Sequence, residues 1–399
     1  MLTATPLLLS GIAALIGAII VGYTFVRLHQ SVALGAALGA VAGAVGPLIF
    51  MVPLGYCTFN PEVSTATILF GLLLVAVGTA VTVSGANWLA QWRFRASHPN
   101  NIEATSQGLF KGFFTPWLLL LPTLIILAVF LYYPSLDTLR LSTLLSYIGI
   151  PRTKFICVEN FTTLLGSSEY LYSVAITLII AAVTVGLGLV LSLLIATAAF
   201  QPVKGANVYR TLLIWPYALS PVVAGIVFFL LFSPIVGIIN HLLDSVFGLK
   251  LPWLTDPILA PIAVILASVW KSLGFGILFY IAGLQNVPND LREAASIDGA
   301  NTPQRFWYIV VPLLSPITFF LIITNMSYAF FDIFGTVDVM TKGGPVGATS
   351  VMIYKIYQTG VSSGNLGQAS AQSILLFVMV IGLTVFQFYS TGRQVNYNA

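Results

Sequence analysis

Apolar positions in this chain come in long uninterrupted runs, with polar positions clustered between them. A membrane-crossing helix needs about 20 apolar residues. Runs at roughly 7–26, 32–54, 65–90, 116–133, 171–199, 208–233, 258–284, 313–331 and 372–390 approach or exceed that length. Only helices and closed barrels satisfy every backbone group in lipid, and these runs lack the alternation of barrel strands. The pattern therefore predicts an all-α, polytopic membrane protein with nine spans. The polar stretch QWRFRASHPNNIEATSQGLFKGFFT, residues 91–115, divides them. It predicts an N-terminal three-helix unit over residues 1–95, a cytoplasmic linker over 96–115 and a six-helix core over 116–395. The first run follows MLTATP, which has no positive charge, so it reads as a helix rather than a signal peptide. Gly35, Gly39 and Gly43 in the second run form a doubled small-xxx-small pattern. That pattern suits close helix packing, either as a defined dimer face or as no more than a generally Ala/Gly-rich helix.

Composition removes the soluble alternative. The 399 residues are 58% hydrophobic and 7% charged, against about 25% charged in a soluble domain. Mean hydropathy is +0.97. The net charge of +4 comes from scattered Lys and Arg, so it indicates topology and not nucleic-acid binding. Basic residues favour cytoplasmic loops. Placing the 285–312 loop inside puts Arg27, Arg93, Arg95, Lys111, Lys204, Arg210, Arg292, Arg305 and Arg393 inside as well. Arg140, Arg152, Lys154, Lys250, Lys342 and Lys355 then fall outside, mostly in longer loops. This orientation predicts an external N-terminus and a cytoplasmic C-terminus. Cys57 and Cys157 both fall outside, where a disulfide is allowed but two unpaired thiols are the expectation. His29, His98 and His241 are far apart, so no metal site is expected.

Few polar residues interrupt the spans. Lys271 stands at the midpoint of the 258–284 run, where a Lys costs about 2.5–3.5 kcal/mol on insertion scales. It must face a polar interior or a partner, either as a solute-binding cation or as half of an ion pair, with Asp332 one candidate. Asn325, Tyr328 and Asp332 could line the same path. Interfacial anchoring for Tyr328 and Asp332, and helix–helix hydrogen bonding for Asn325, is the alternative. Trp270, Phe275 and Tyr280 can stack on sugar rings or simply pack. Pro216 and Pro221 interrupt the 208–233 run, as in transporter helices that line cavities. The stretch TSVMIYKIYQ is a candidate surface helix for meeting a solute-binding protein, and His241 is expected to be solvated.

The stretch EAASIDGANTPQRFWYIVVPLLSP, from Glu293 to Pro316, is the most informative loop. NVPNDLREAAS predicts a short helix with Pro288, Asn289 and Asp290 near its start. Gly299 interrupts it, and a second helix starts with Thr302 as N-cap and Pro303 at N1. A helix–turn–helix with small Ala294 and Ala295 beside charged Arg292 and Glu293 suits docking of another protein.

The order Glu-Ala-Ala, Gly299, Ile309, Val311-Pro312 resembles the EAA motif of binding-protein-dependent ABC importer permeases, with Val311 in place of the usual Leu. The longer string resembles the carbohydrate-type subfamily, which includes maltose and glycerol-phosphate permeases. RTLLIWPYALSP (210–221), LASVWKSLGF (266–275), FYIAGLQNVP (279–288) and YAFFDIFGTVDVMTKGGP (328–345) add to it. The resemblance covers about 115–395. It implies a six-helix type I permease core in a prokaryotic plasma membrane. It also implies a coupling loop over 285–312 that docks on a separate ATPase through Glu293, Ala294, Ala295, Asp298, Gly299 and Ala300. The implied partners are a second permease, two ATPase subunits holding ATP and Mg, and an extracytoplasmic binding protein. The implied solute is a carbohydrate or polyol derivative, of the glycerol-phosphate type or a sugar or glycoside osmolyte such as trehalose or glucosylglycerol. No G-x-x-x-x-G-K-[ST] occurs, so this chain is not expected to hydrolyse ATP or to hold a cofactor. A gradient-driven transporter would need intramembrane carboxylates, and no Asp or Glu is central in any predicted span. Neither clustered His nor paired carboxylates suggest an enzyme.

Overall fold

The computed structural model describes residues 4–27, 32–44, 65–95, 114–151, 153–156, 158–201 and 205–391. Cys57, Cys157, His29, His98 and nearly all of the 96–115 linker lie outside them. Regular structure among the described residues is helical apart from one two-residue ladder and an isolated bridge between Tyr147 and Asn365, as the apolar runs require.

Two units are distinguished, residues 1–163 with 364–371 and residues 164–363 with 372–399. The first begins with α1 (Ala4–Arg27), α2 (Val32–Ala44) and α3 (Thr65–Arg95). The glycine pattern of α2 serves packing within the chain. Gly39 lies against Gly17 and Gly43 against Ala13 of α1, so backbones meet where side chains would collide. Val21, Phe25 and Val83 form a small core between α1 and α3. α4 (Phe114–Leu127) runs through a π-turn into α5 (Tyr133–Leu141), making one apolar stretch over Leu119–Leu141. It extends beyond the expected 116–133. β1 (Leu144–Leu145) pairs with β2 (Lys154–Phe155). The start of α6 (Glu159–Gly166) is held there by the Asn160 amide, which donates to the carbonyls of Ser142 at 2.8 Å and Leu144 at 3.1 Å.

The second unit is built around α7 (Ser168–Ala199) and α11 (Leu259–Gln285). Small residues let them approach closely: the Ser192 hydroxyl donates to the Leu273 carbonyl at 3.3 Å. Between them come α8 (Ala206–Ile214), α9 (Pro221–Leu231) and α10 (Ile238–Phe247). The 208–233 run is not one straight span. Its halves, Val208–Ala218 and Pro221–Leu231, meet at 100°. Trp215–Ala218 is a 3-10 turn containing Pro216, Leu219 and Ser220 are extended, and Ser220 caps α9 with Pro221 at its start.

After α11 come α12 (Asn289–Ile297), α13 (Thr302–Arg305) and α14 (Val311–Leu313), then α15 (Ser315–Phe331) and α16 (Ile333–Met340). The last two form one apolar stretch over Ser315–Met340, so the expected end at 331 was nine residues too early. Asp332 and Asp338 therefore lie within this stretch, both in its C-terminal half. The segment after the Lys342–Pro345 turn forms α17 (Met352–Tyr357), but it is not the surface helix expected there. Met352 and Tyr354 are buried, and the Met352 amide donates to Thr177 Oγ1 at 2.9 Å. α18 (Leu366–Thr391) closes the chain. Among the described residues, six helices are long and apolar enough to cross a membrane, or seven if the bent α8–α9 pair is one span.

Candidate functional site

Two places gather the polar residues. The first is the loop between α11 and α15. It is anchored at both ends, with Val287 buried on one side and Val310 and Leu314 on the other. Between these anchors α12 buries none of its residues. Ile297 is 86% exposed, and Leu291 and Ala294 are exposed on the same helix. Glu293 and Asp298 point into solvent, and Ala295 and Ala300 are half-buried. Glu293 has no ion-pair or hydrogen-bond partner among the described residues.

The loop is nevertheless rigidly built. The Ala300 N–H donates to the Ala295 carbonyl at 2.9 Å and the Gly299 N–H to that of Ser296 at 3.2 Å. This pair of bonds ends a helix through a left-handed residue, and Gly299 supplies it at φ +84°. α13 then starts on a capping box. The Gln304 N–H donates to Asn301 Oδ1 at 2.9 Å, and the Asn301 N–H donates to Gln304 Oε1 at 2.8 Å. The N-cap is therefore Asn301, not Thr302. Gln304 three residues on was the signal that distinguished them.

Gly299→Val would force a branched side chain into the left-handed region, at about 1–2 kcal/mol. The turn amides of Gly299 and Ala300 should then exchange hydrogen about 5–30 times faster. Unchanged exchange would mean the turn carries no strain-sensitive constraint.

The second place is a cavity of about 50 Å³ among α7, α11, the 3-10 turn, α15 and α16. Lys271 Nζ lies 3.2 Å from Asp332 Oδ2; the Lys side chain is 14% exposed and the Asp 46%. The ammonium also sits 5.9 Å from the Tyr217 ring centroid, within cation–π range. Asn325, Tyr328 and Asp332 line this cavity. Thr184, Ser192, Tyr217, Ser268, Ser272 and Thr336, which the sequence reading missed, line it too.

Buried polar groups are normally hydrogen-bonded, yet three cavity-lining atoms have no partner among the described residues: Thr184 Oγ1, Ser268 Oγ and Asn325 Oδ1. Asn325 Nδ2 is occupied by the Leu321 carbonyl of its own helix at 2.9 Å. Helix–helix bonding thus does not account for Asn325, and interfacial anchoring does not account for Asp332. The cavity pairs a charge-balanced ammonium–carboxylate with unspent hydroxyl and amide groups, a set suited to hydrogen-bonding a polyhydroxylated solute. Phe275 borders the set without lining it, stacking on Tyr217 at 5.2 Å and Tyr328 at 5.9 Å. Trp270 lies apart, packed on Phe228 at 5.4 Å. Tyr280 is buried, bonded to Thr318 at 3.2 Å, and is packing.

Comparison with known proteins adds a family. Residues 188–391 match the family described as binding-protein-dependent transport system inner membrane component. The sn-glycerol-3-phosphate transport system permease protein UgpA of Agrobacterium fabrum is 40% identical over 289 residues, 72% of this chain and 98% of that protein. The UgpA of Yersinia pestis is 42% identical over 289 residues, 72% of this chain and 97% of its own. Among solved structures, a chain of a bacterial alginate ABC transporter, crystallised with an alginate pentasaccharide-bound periplasmic protein, superposes with a TM-score of 0.63. It is 22% identical and covers 70% of this chain and 95% of that one.

Proposed function

Because the chain belongs to the family of binding-protein-dependent transport system inner membrane components, we propose that it forms half of the translocation path of an ABC importer. It is a multi-pass membrane protein. The solute we assign is a carbohydrate or polyol derivative, of the glycerol-phosphate type or a sugar or glycoside osmolyte. A second permease completes the path, an extracytoplasmic binding protein delivers the solute, and two separate ATPase subunits power the cycle with ATP and Mg. The N-terminus is external and the C-terminus cytoplasmic, with the α8–α9 pair counted as one crossing. Residues 1–95 are an added unit, since relatives matched over nearly their whole length account for 72% of the chain.

The observation that carries this reading is α12, a capped and buttressed helix with no buried residue. A helix of nine residues is too short to be stable by itself. Its exposed Leu291, Ala294 and Ile297 gain stability only against another protein, and Glu293 brings a free charge to that contact. Glu293, Ala294, Ala295, Asp298, Gly299 and Ala300 form the ATPase-coupling element. Lys271, Asp332, Asn325 and Tyr328, joined by Thr184 and Ser268, face the solute, with Phe275 behind them. The cavity is far smaller than the roughly 300–1,000 Å³ of ligand pockets. Transport therefore requires α11 and α15–α16 to separate around it, as alternating access demands.

Asp332 inside a span gives a specific basis for a second reading, gradient-driven transport. Its pairing with Lys271 counts against it, because an ion-coupling carboxylate must be released from its partner in each cycle. One experiment separates the readings. The complex is purified with its ATPase into nanodiscs, and ATP hydrolysis is measured with the binding protein and glycerol 3-phosphate, glycerophosphodiesters, trehalose, maltose or glucosylglycerol. Stimulation by one solute is expected and identifies it. Absence of a copurifying ATPase, together with solute uptake driven by an imposed ion gradient, would establish the second reading instead.

A further inference from the structure

α10 has three faces. Ile239 packs against the buried cluster that contains Phe232, Ala263 and Val264. Asn240, only 4% exposed, fastens the same side. Its amide donates to the Leu251 carbonyl at 3.0 Å, while its Oδ1 accepts from the Leu251 N–H at 3.2 Å and from Trp253 Nε1 at 3.2 Å. This bonding fixes the roll of the helix. A second face is polar, with His241, Asp244 and Ser245, and Asp244 reaches Lys250 at 3.3 Å. The third face is an apolar stripe at helical spacing: Ile238, Leu242 and Val246, all exposed, extended by Ile235 at 91% exposure and by Leu249.

We propose that α10 lies flat in the bilayer interface, with the Ile238–Leu242–Val246 stripe seated at the headgroup–acyl boundary of the lipid. The occupant follows from the connections. α10 starts seven residues after α9 ends and finishes twelve before α11 begins, and both neighbours belong to apolar membrane stretches. Exposed Ile226, Phe229 and Leu230 on α9 continue through Ile235 and Val236 into the stripe, and Ile258 and Ile262 continue it at α11. Both neighbours of α10 thus expose apolar side chains, with exposed Lys250 and Thr255 lying between the stripe and α11. A polar face, an apolar face and a Trp beside them are the composition of an interfacial helix. The Asn240 anchor keeps the stripe from rolling inward, so α10 holds the α9–α11 connection at a set depth on the side opposite α12.

The test uses the whole complex in nanodiscs. Cys57 and Cys157 are replaced by Ser, and single nitroxides are placed at 238, 241, 242, 245 and 246. Collision with oxygen, which concentrates in lipid, is compared with collision with a water-soluble nickel chelate. At 238, 242 and 246 the oxygen-to-nickel ratio should be several-fold higher than at 241 and 245. Equal nickel access at all five would place the helix in water. Labels at 238, 242 and 246 shielded from both reagents would mean that a protein covers the stripe. Either result overturns the proposal. A second measurement needs no substitution: a phospholipid bearing a diazirine in its upper acyl chain, irradiated with wild-type complex, should leave adducts within residues 235–249. Adducts only on the spans, with none on that segment, would overturn it as well.

Discussion

Glu293→Lys should abolish solute-stimulated ATP hydrolysis and uptake while leaving the protein in the membrane and as stable as before. The two halves of that result have separate causes. α12 buries nothing and Glu293 bonds to nothing among the described residues, so the substitution removes no internal contact. Surface changes of this kind stay within about 0.5 kcal/mol. At the proposed contact with the ATPase, reversal of a charge costs about 2–5 kcal/mol, enough to reduce coupled turnover at least ~30-fold. Glu293→Gln keeps the shape and hydrogen-bonding reach without the charge, so it should fall between wild type and the Lys variant. Thermal unfolding of the subunit and ATPase activity of the complex are the two readouts. A normal transport rate in the Lys variant would remove Glu293 from the coupling element, and a lowered melting temperature would show that α12 has a structural role instead.

The local structure of the 285–312 loop was legible because its chemistry is local. Glu-Ala-Ala, a Gly that ends a helix and an Asx-capped restart all lie within a dozen residues, and each obeys a rule of neighbouring positions. Thr302 and Asn301 both suit a cap before Pro303, and only Gln304, three residues beyond Asn301, distinguishes them through the capping box. The membrane cavity was only half legible. Lys271 announced itself by its cost in lipid, but Asp332 was taken as a span end because charge there breaks the apolar run. In the fold the charge is answered by Lys271 at 3.2 Å from 61 residues away, so the helix continues. Thr184 and Ser192, eight residues apart on α7, and Ser268 and Ser272, four apart on α11, lie on helix faces that only the packing of α7 on α11 brings together. Hydroxyls in such helices usually bond their own backbone, which is why their residue type gave no warning. The burial of α17 was hidden for the same reason, since its partner Thr177 is 175 residues away.

The Lys271–Asp332 pair should show its role in a double-mutant cycle. Asp332→Leu leaves a Lys side chain that is 14% exposed without its counter-ion, whereas Lys271→Met leaves a carboxylate that is 46% exposed. The two single changes should therefore be unequal. Loss of one partner of a buried pair costs about 3–5 kcal/mol; Asp332→Leu should approach the lower end of that range, and Lys271→Met should cost roughly half as much. The double variant, Lys271→Met with Asp332→Leu, should be less destabilised than the sum of the two single changes, by a coupling of about 1–3 kcal/mol, because apolar residues replace the pair without leaving a charge behind. Stability and transport should then diverge. If the pair contacts the solute, the refolded double variant remains inactive, and its solute-stimulated ATPase stays at the basal level although Glu293 and α12 are intact. If the double variant transports as well as wild type, the pair only joins α11 to the α15–α16 junction, and recognition falls to the unpaired Thr184, Ser268 and Asn325 atoms.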